Sequence, residues 1–295
     1  MRPRWKASKY SPAELSPPTA TAYVTAMTPI TDLQGHLARM GRVLLGYSGG
    51  VDSALLAVVG RRALGEDRFL AVIGRSASYP AAQYQNALDL ARRFEIPLVE
   101  LDTHELDDPA YRANSPERCY FCKHELWSRL GALAAERGFD TIIDGTNADD
   151  LHEHRPGMRA GEELHIRSPL AELSWTKPMV RAAAREFALP TWDAPASPCL
   201  SSRIRYGLEV TPERLGQVEA AEAMLRAAGV TGDLRVRHRG DHASIEVGPD
   251  AHRFLRDRWS EFLPRFAAIG FGRAELDPRG YRRGGLLNEL PILRG

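Results

Sequence analysis

Three clusters of residues in this chain have types and spacings suited to chemistry. The first is Ser48-Gly49-Gly50-Val51-Asp52-Ser53. Gly49 and Gly50 permit positive φ and close backbone approach, and Ser48 and Ser53 add hydroxyl donors. At the start of a helix such a turn aims backbone N–H groups and the positive end of the helix dipole at an anion. Asp52 repels a bare phosphate, so the pattern calls for a Mg2+ ion between its carboxylate and a polyphosphate. The Gly-Lys-Ser/Thr ending of a Walker A loop is missing.

The second cluster is the cysteines. The chain has three: Cys119 and Cys122 in Cys119-Tyr120-Phe121-Cys122, and Cys199 in Ser197-Pro198-Cys199-Leu200-Ser201-Ser202-Arg203-Ile204. The Cys-x-x-Cys pair admits several readings. A thioredoxin-type redox pair lacks its usual surroundings. A structural zinc site needs four ligands, and His124 lies too close to Cys122 to be an obvious fourth. A three-cysteine iron–sulfur site fits better and leaves one iron free for sulfide or substrate. Buried inert thiols are the plain alternative. Arg118 and Lys123 flank the pair and should favour thiolates. Cys199 lies on a polar loop, where Arg203 should do the same.

The third cluster is Arg235, Arg237 and Arg239, alternating along one edge of a strand. Arginine holds phosphate in a bidentate fork; a solvated basic face is the alternative. The segment 149–163 holds Asp149, Asp150, His152, Glu153, His154 and Arg155. Its spacing matches no known ligand set, so it reads as a polar loop.

These residues need elements to position them. Strand candidates are Val43–Tyr47, Phe69–Ile73, Leu98–Leu101 and Thr141–Asp144, with helical periodicity over Ser53–Leu64, Ala81–Phe94 and Lys123–Arg137. Gly138 is a helix stop. Alternating strands and helices predict an α/β, doubly wound parallel sheet, with ligands at the carboxyl ends of its strands. The glycine turn sits at such an end, and so does Asp144-Gly145-Thr146-Asn147-Ala148-Asp149-Asp150. After Pro195 the pattern changes to a helix over about Pro212–Ala228, strands over Asp233–His238 and Ala243–Val247, and a helix over about Asp250–Phe266. This predicts a smaller C-terminal α+β domain. Four regions follow: a disordered extension over 1–28, a nucleotide domain over 29–198, a substrate-binding domain over 199–270 and a Gly/Arg-rich tail over 271–295.

Apolar content of 43% and charged content of 26% are those of a soluble globular protein. A net charge of +1 gives no drive toward nucleic acid or membrane, and no apolar run approaches the ~20 residues of a membrane span. The N-terminal stretch has no apolar core of secretory type. Three cysteines make no disulfide framework, and a reducing cytoplasm is the expected location.

The turn Ser48–Ser53 resembles the PP-loop of ATP pyrophosphatases, which cleave ATP between the α- and β-phosphates. That loop alone is shared with GMP synthetases, NAD synthetases and tRNA thiolases. Further motifs narrow the resemblance. They are Arg75-Ser76-Ala77-Ser78-Tyr79-Pro80, Arg118-Cys119-Tyr120-Phe121-Cys122-Lys123, Asp144–Asp150, Arg155-Pro156-Gly157, Arg167-Ser168-Pro169-Leu170, Thr176-Lys177, Cys199–Ile204 and Arg235-Val236-Arg237-His238. In order and spacing, over about residues 30–250, they resemble the LarE family. Its members are ATP-dependent sulfur transferases that make the pincer ligand of the nickel cofactor of lactate racemase.

The resemblance implies a reaction. A carboxylate of pyridinium-3,5-biscarboxylic acid mononucleotide attacks the α-phosphate of ATP, pyrophosphate leaves, and sulfur displaces AMP from the acyl-adenylate. It implies ATP, Mg2+ and a [4Fe–4S] cluster on Cys119, Cys122 and Cys199, with Asp52 toward the Mg2+. In the family's other route the cysteine matching Cys199 surrenders its own sulfur and becomes dehydroalanine. Lys177, Cys199 and Arg203 would be the catalytic residues. Ser76 would lie by the adenosine, with Asp144, Thr146 and Asp149 near the nucleotide and metal. Arg235, Arg237 and Glu222 would bind the substrate nucleotide, the two arginines at its phosphate. Ser244 stands where the family is expected to have an arginine. A homo-oligomer with no nucleic-acid or membrane partner is also implied. The competing readings are a PP-loop tRNA thiolase, an ammonia-using ligase and a nucleotide sensor without activity.

Overall fold

The computed structural model describes residues 20–152, 156–195 and 197–282, apart from the side chains of 20–28 and 152. Strands β1 (Val43–Gly46), β2 (Phe69–Arg75), β3 (Leu98–Asp102) and β4 (Thr141–Ile143) form one parallel sheet in the order β3-β2-β1-β4. The helices around it are α1 (Ala20–Ala38), α2 (Val51–Leu64), α3 (Ala81–Arg93), α4 (Pro109–Arg112), α5 (Arg118–Arg137), α6 (Pro156–Glu163), α7 (Pro169–Glu172) and α8 (Lys177–Glu186).

Strand alternation divides the core between the two faces of this sheet. Val43, Leu45, Ala71 and Ile73 pack with α1, α2, α3 and α8. Leu44, Leu70 and Val72 face the other way, onto Trp127 and Leu130 of α5 and Ala160 of α6. Helices thus cover both faces, and the doubly wound sheet expected from the sequence is present. In β1 and the first five residues of β2 the apolar run is continuous because both faces are buried, whereas the edge strand β3 is half-exposed and carries Glu100 and Asp102. From β1 the chain winds through β2 to β3, whereas β4 lies on the other side of β1. The switch point between β1 and β4 is where such a sheet opens a crevice for ligands.

The second unit comprises α9 (Pro212–Ala227), β5 (Leu234–His238), β6 (His242–Val247), α10 (Pro249–Asp257), α11 (Trp259–Ile269) and β7 (Arg273–Leu276). β5 pairs antiparallel with β6, and β6 parallel with β7. Leu234, Val236 and Ile245 point into a core with Leu225, Leu255, Phe262 and Phe266. A third, smaller core joins the two units, in which Tyr111 of α4 packs with Leu200, Ile204, Val210, Leu215 and Val218.

Three sequence expectations change. The helix expected over 250–266 is two, because the backbone of Arg258 leaves helical geometry at φ −119° and ψ 15°. The tail contributes β7, a short charged edge strand with no apolar run to announce it. Helix α1 begins at Ala20, inside the stretch expected to be an extension; residues 1–19 and 283–295 lie outside the described residues. No helix among the described residues is long and apolar enough to cross a membrane.

Candidate active site

The glycine turn follows the carboxyl end of β1. Gly49 has φ +65°, and a Cβ there would lie 2.4 Å from that of Ala87, so both conformation and space demand glycine. Tyr79 donates from its hydroxyl to the Ser48 carbonyl (2.6 Å), pinning the turn to the segment after β2. Burial pushes the Tyr79 phenol up to about 12, so it stays a donor. The Ser53 hydroxyl donates to the Gly50 carbonyl (3.1 Å) and lies 3.1 Å from that of Ser48. Ala54 N–H makes the first helical bond, to Gly50. The N–H groups of the preceding residues therefore face out of the helix end, as anion binding requires.

Asp52 leads this helix and sits at the switch point. Its carboxylate takes an ion pair from Lys177, the first residue of α8, and a hydrogen bond from Asn147 Nδ2 (3.1 Å). Asp149 accepts from the Lys177 backbone N–H (2.7 Å). Asp144 accepts from Thr146 Oγ1 (2.7 Å), Thr146 N–H (3.0 Å) and Ser168 Oγ (2.7 Å). Gly145 passes so close to Ser53 that a Cβ would lie 3.0 Å from its backbone nitrogen. The structure thus brings together Ser48, Asp52, Ser53, Asp144, Thr146, Asp149 and Lys177. Ser76 stands apart, with its hydroxyl donating to the buried Glu105. Asn147 and Ser168 join this network through Asp52 and Asp144, although the family resemblance implies no role for them.

The three cysteines come from two distant segments. Cys119 and Cys122 lie in the first turns of α5, where the sequence placed the helix start only at Lys123. Cys199 caps a short 3-10 turn, Leu200–Arg203. Each thiol of α5 is within electrostatic reach of Cys199. The flanking cations do not prevail as expected. Burial pushes the Cys119 thiol up against the opposing pull of Arg118, although the residue as a whole is exposed. Burial, then Glu105 and the other thiols, push Cys122 far up. Arg118 is itself buried; it donates to Asn114 Oδ1 (2.5 Å) and the Ser201 carbonyl (2.8 Å), under the turn that carries Cys199.

Arg203 is also committed. Its guanidinium binds Glu222 (3.0 and 3.2 Å), the carbonyls of Pro198 and Cys199, and the Ser202 hydroxyl. Glu222 in addition accepts from Val236 N–H on the open edge of β5 (3.1 Å). Arg235 and Arg237 share a sheet face but not an environment. Arg237 is buried, forked onto Glu246 (2.8 and 3.0 Å) and bonded to the Ser202 carbonyl (2.9 Å). Ser244, opposite Arg237, is buried too. Arg235 lies over the Tyr281 ring at 5.4 Å. Next in the chain, Arg282 has its Nε and Nη2 buried with no hydrogen-bond partner. The tail thus returns to the arginine face, which a sequence reading that ended the domain at 270 missed.

The donor types suit the implied groups. Asp52 is a hard oxygen donor of the kind Mg2+ takes, and thiolates are the ligands iron–sulfur clusters take; the thiols here are within electrostatic reach of one another. Among the described residues, no three His, Cys, Asp or Glu are already arrayed as a metal-holding group. Residues 153–155 of the polar segment lie outside the described residues.

A parallel sheet with this glycine turn at its switch point defines an α/β protein of the PP-loop class. A family described as NAD synthase matches residues 32–134. The chain is 40% identical over 87% of its length to an uncharacterized protein of Synechocystis sp., covering 96% of it. It is 34% identical over 92% of its length to the pyridinium-3,5-bisthiocarboxylic acid mononucleotide synthase of Lactiplantibacillus plantarum, covering 95% of that protein. An uncharacterized protein of Methanocaldococcus jannaschii is 30% identical over 82% of the chain and is covered over 91% of its own length. The chain belongs to the family of the pyridinium-3,5-bisthiocarboxylic acid mononucleotide synthase, LarE.

Proposed function

We propose that this chain is an ATP-dependent sulfur transferase. It adenylates the carboxylates of pyridinium-3,5-biscarboxylic acid mononucleotide and converts them to thiocarboxylates for a nickel-pincer cofactor. The observation that carries this reading is the juxtaposition of two sites. The Asp52–Lys177 pair lies at the mouth of the glycine turn, and the turn bearing Cys199 is hydrogen-bonded to the neighbouring Ser78 through Leu200 N–H (2.7 Å). The relative from Lactiplantibacillus plantarum supports the substrate class.

A carboxylate is a poor electrophile, so activation must come first. A substrate carboxylate oxygen forms a bond to the α-phosphorus, and the bond to the bridging oxygen breaks with its electron pair leaving on pyrophosphate. The glycine turn and the N-terminus of α2 hold the phosphates, and Lys177 turns from Asp52 to the departing charge. Mg2+ on Asp52 would neutralise the remaining phosphate charge. Sulfur then bonds to the acyl carbon, and AMP leaves with the electrons of the broken C–O bond. A [4Fe–4S] cluster on Cys119, Cys122 and Cys199 would supply sulfide on the iron without a protein ligand. Arg235, over the Tyr281 ring, grips the substrate phosphate, while Arg237 keeps the face in shape.

The test is pyrophosphate release by the purified protein with ATP and the pyridinium substrate. Release that needs both, and a product carrying sulfur in place of oxygen, is expected. Release stimulated by tRNA instead, or an amide formed from ammonia, would replace this reading by a thiolase or a ligase. No release with any acceptor leaves a nucleotide sensor.

A further inference from the structure

Three hydroxyl groups meet in the interior where the two units join. Ser78 Oγ lies 2.5 Å from Tyr111 Oη, Tyr111 Oη 2.6 Å from Ser201 Oγ, and Ser201 Oγ 2.7 Å from Ser78 Oγ. All three residues are essentially without solvent exposure, at 2%, 1% and 0%. In a closed ring each hydroxyl donates one hydrogen bond and accepts one, so each donor is used within the ring. Such rings reinforce their own bonds by polarisation.

Stability alone does not ask for this arrangement. The neighbours are Leu200, Ile204, Val210, Leu215 and Val218. Apolar side chains of similar volume would fill the space without desolvating three hydroxyls. A polar ring adds register, because it closes only when its three members stand in one mutual arrangement. Those members come from three places. Ser78 belongs to the segment after β2, whose Ser76 hydroxyl accepts from Ser78 N–H (2.9 Å) and whose Tyr79 pins the glycine turn. Tyr111 belongs to α4. Ser201 lies two residues beyond Cys199, and Ser78 also accepts from Leu200 N–H through its carbonyl (2.7 Å). Tyr111 is within electrostatic reach of both Cys199 and Cys122.

We propose that the Ser78–Tyr111–Ser201 hydroxyl ring is a positioning device that fixes the Cys199 turn against the nucleotide-side segment, and so sets the reach from sulfur to the activated acyl carbon. None of the three touches the reacting atoms; they act through Cys199 and the glycine turn. The inference rests on the sulfur-transfer reading. Displacement of the turn leaves adenylation intact but lets water reach the acyl-adenylate before sulfur does. The C–O bond to AMP then breaks on attack by water, which regenerates the carboxylate and wastes the ATP.

Tyr111→Phe is the test, since it removes one oxygen and keeps the packed ring. Pyrophosphate and thiocarboxylate are counted in the same reaction of the full chain. The expected result is an unchanged KM for ATP, a fall in thiocarboxylate formation of about tenfold or more, and a rise of the same order in pyrophosphate released per thiocarboxylate formed. Ser78→Ala, in the turn after β2, should raise the same ratio. A purely structural role lowers both products together and leaves the ratio at the wild-type value in both variants, which overturns the proposal. Should a variant fold poorly, the ratio still decides, because it is independent of the amount of active protein. Failure of the underlying reading looks different: the wild-type protein itself makes no sulfur-bearing product.

Discussion

The proposed nucleotide side and the proposed sulfur side of this molecule are built in opposite ways. The nucleotide side is almost contiguous: Ser48 to Ser53 make the turn, and one further loop and the start of α8 supply Asp144, Asn147, Asp149 and Lys177. Its charges are partly exposed and pair with one another at the crevice mouth. The sulfur side hangs on a single turn gripped from three directions. Ser78 and Tyr111 hold it from the nucleotide segment and α4, Arg118 from α5, Asn114 from the approach to α5 through the Ile204 carbonyl that ends the turn, and Arg237 from the small sheet. Its polar groups are buried and leave little freedom. A phosphate site can be assembled from backbone donors at a helix end, whereas aiming a sulfur atom at a carbon needs a rigid surround.

The largest effect that would sharpen the contrast is on stability. Arg237→Ala leaves Glu246 buried without its partner, and loss of one member of a buried pair costs about 3–5 kcal/mol. Chemical denaturation should show that loss, with ATP binding to any folded fraction unimpaired. A substrate-binding defect with unchanged stability would instead make Arg237 a ligand group. Next come Asp52→Ala and Lys177→Ala. Each should cut substrate-dependent pyrophosphate release by about 10²–10³-fold, or roughly 3–4 kcal/mol, without changing the melting temperature by more than a few degrees. Near-normal release would remove the nucleotide side from the reaction.

A smaller effect is set by pH. Burial holds the His238 imidazole down at about 4, below its ordinary 6.5, with Arg214 pressing the same way. Its Nδ1 accepts from Gly240 N–H (3.3 Å), and its Nε2–H donates to Gln217 (2.8 Å). Between pH 6.5 and about 4 the unfolded chain binds a proton that the folded chain refuses. Stability is therefore full above the ordinary value and falls as pH drops through this window, by on the order of 3 kcal/mol. His238→Gln should flatten that slope; an unchanged slope would place the acid sensitivity elsewhere. The smallest effect belongs to Arg235→Ala, which should weaken binding of the substrate nucleotide by about 1.5–3 kcal/mol and spare ATP. Equal weakening for an analogue without the phosphate would show that Arg235 does not grip that group.

The same contrast explains how much was legible in the sequence. Apolar alternation and helical spacing located the four strands of the parallel sheet to within two residues at each end, because both its faces are buried and its turns are short. The glycine turn was legible as contiguous residue types. Arg118, Tyr111, Asn114 and Ser78 were not, because their roles arise only when α4 and the start of α5 meet a turn far along the chain. Arg118 pulls on the Cys119 thiol as its flanking position suggests, yet burial of that thiol outweighs the pull, and its hydrogen bond to the Ser201 carbonyl had no signal in the sequence. Glu246, which claims Arg237, and Tyr281, which returns to the arginine face, carry no pattern that a single sequence displays.

The central claim is that both sides act on one acyl group, and a single-turnover experiment tests it most directly. Protein, ATP and the pyridinium mononucleotide are mixed and quenched, and the masses of small molecules and intact protein are read together. The account predicts one AMP and one pyrophosphate for each oxygen replaced by sulfur, with the protein returning at its starting mass. A protein lighter by the elements of hydrogen sulfide at Cys199 would make that cysteine the consumed donor, contrary to the proposed delivery. Sulfur incorporation without AMP formation would contradict the account outright.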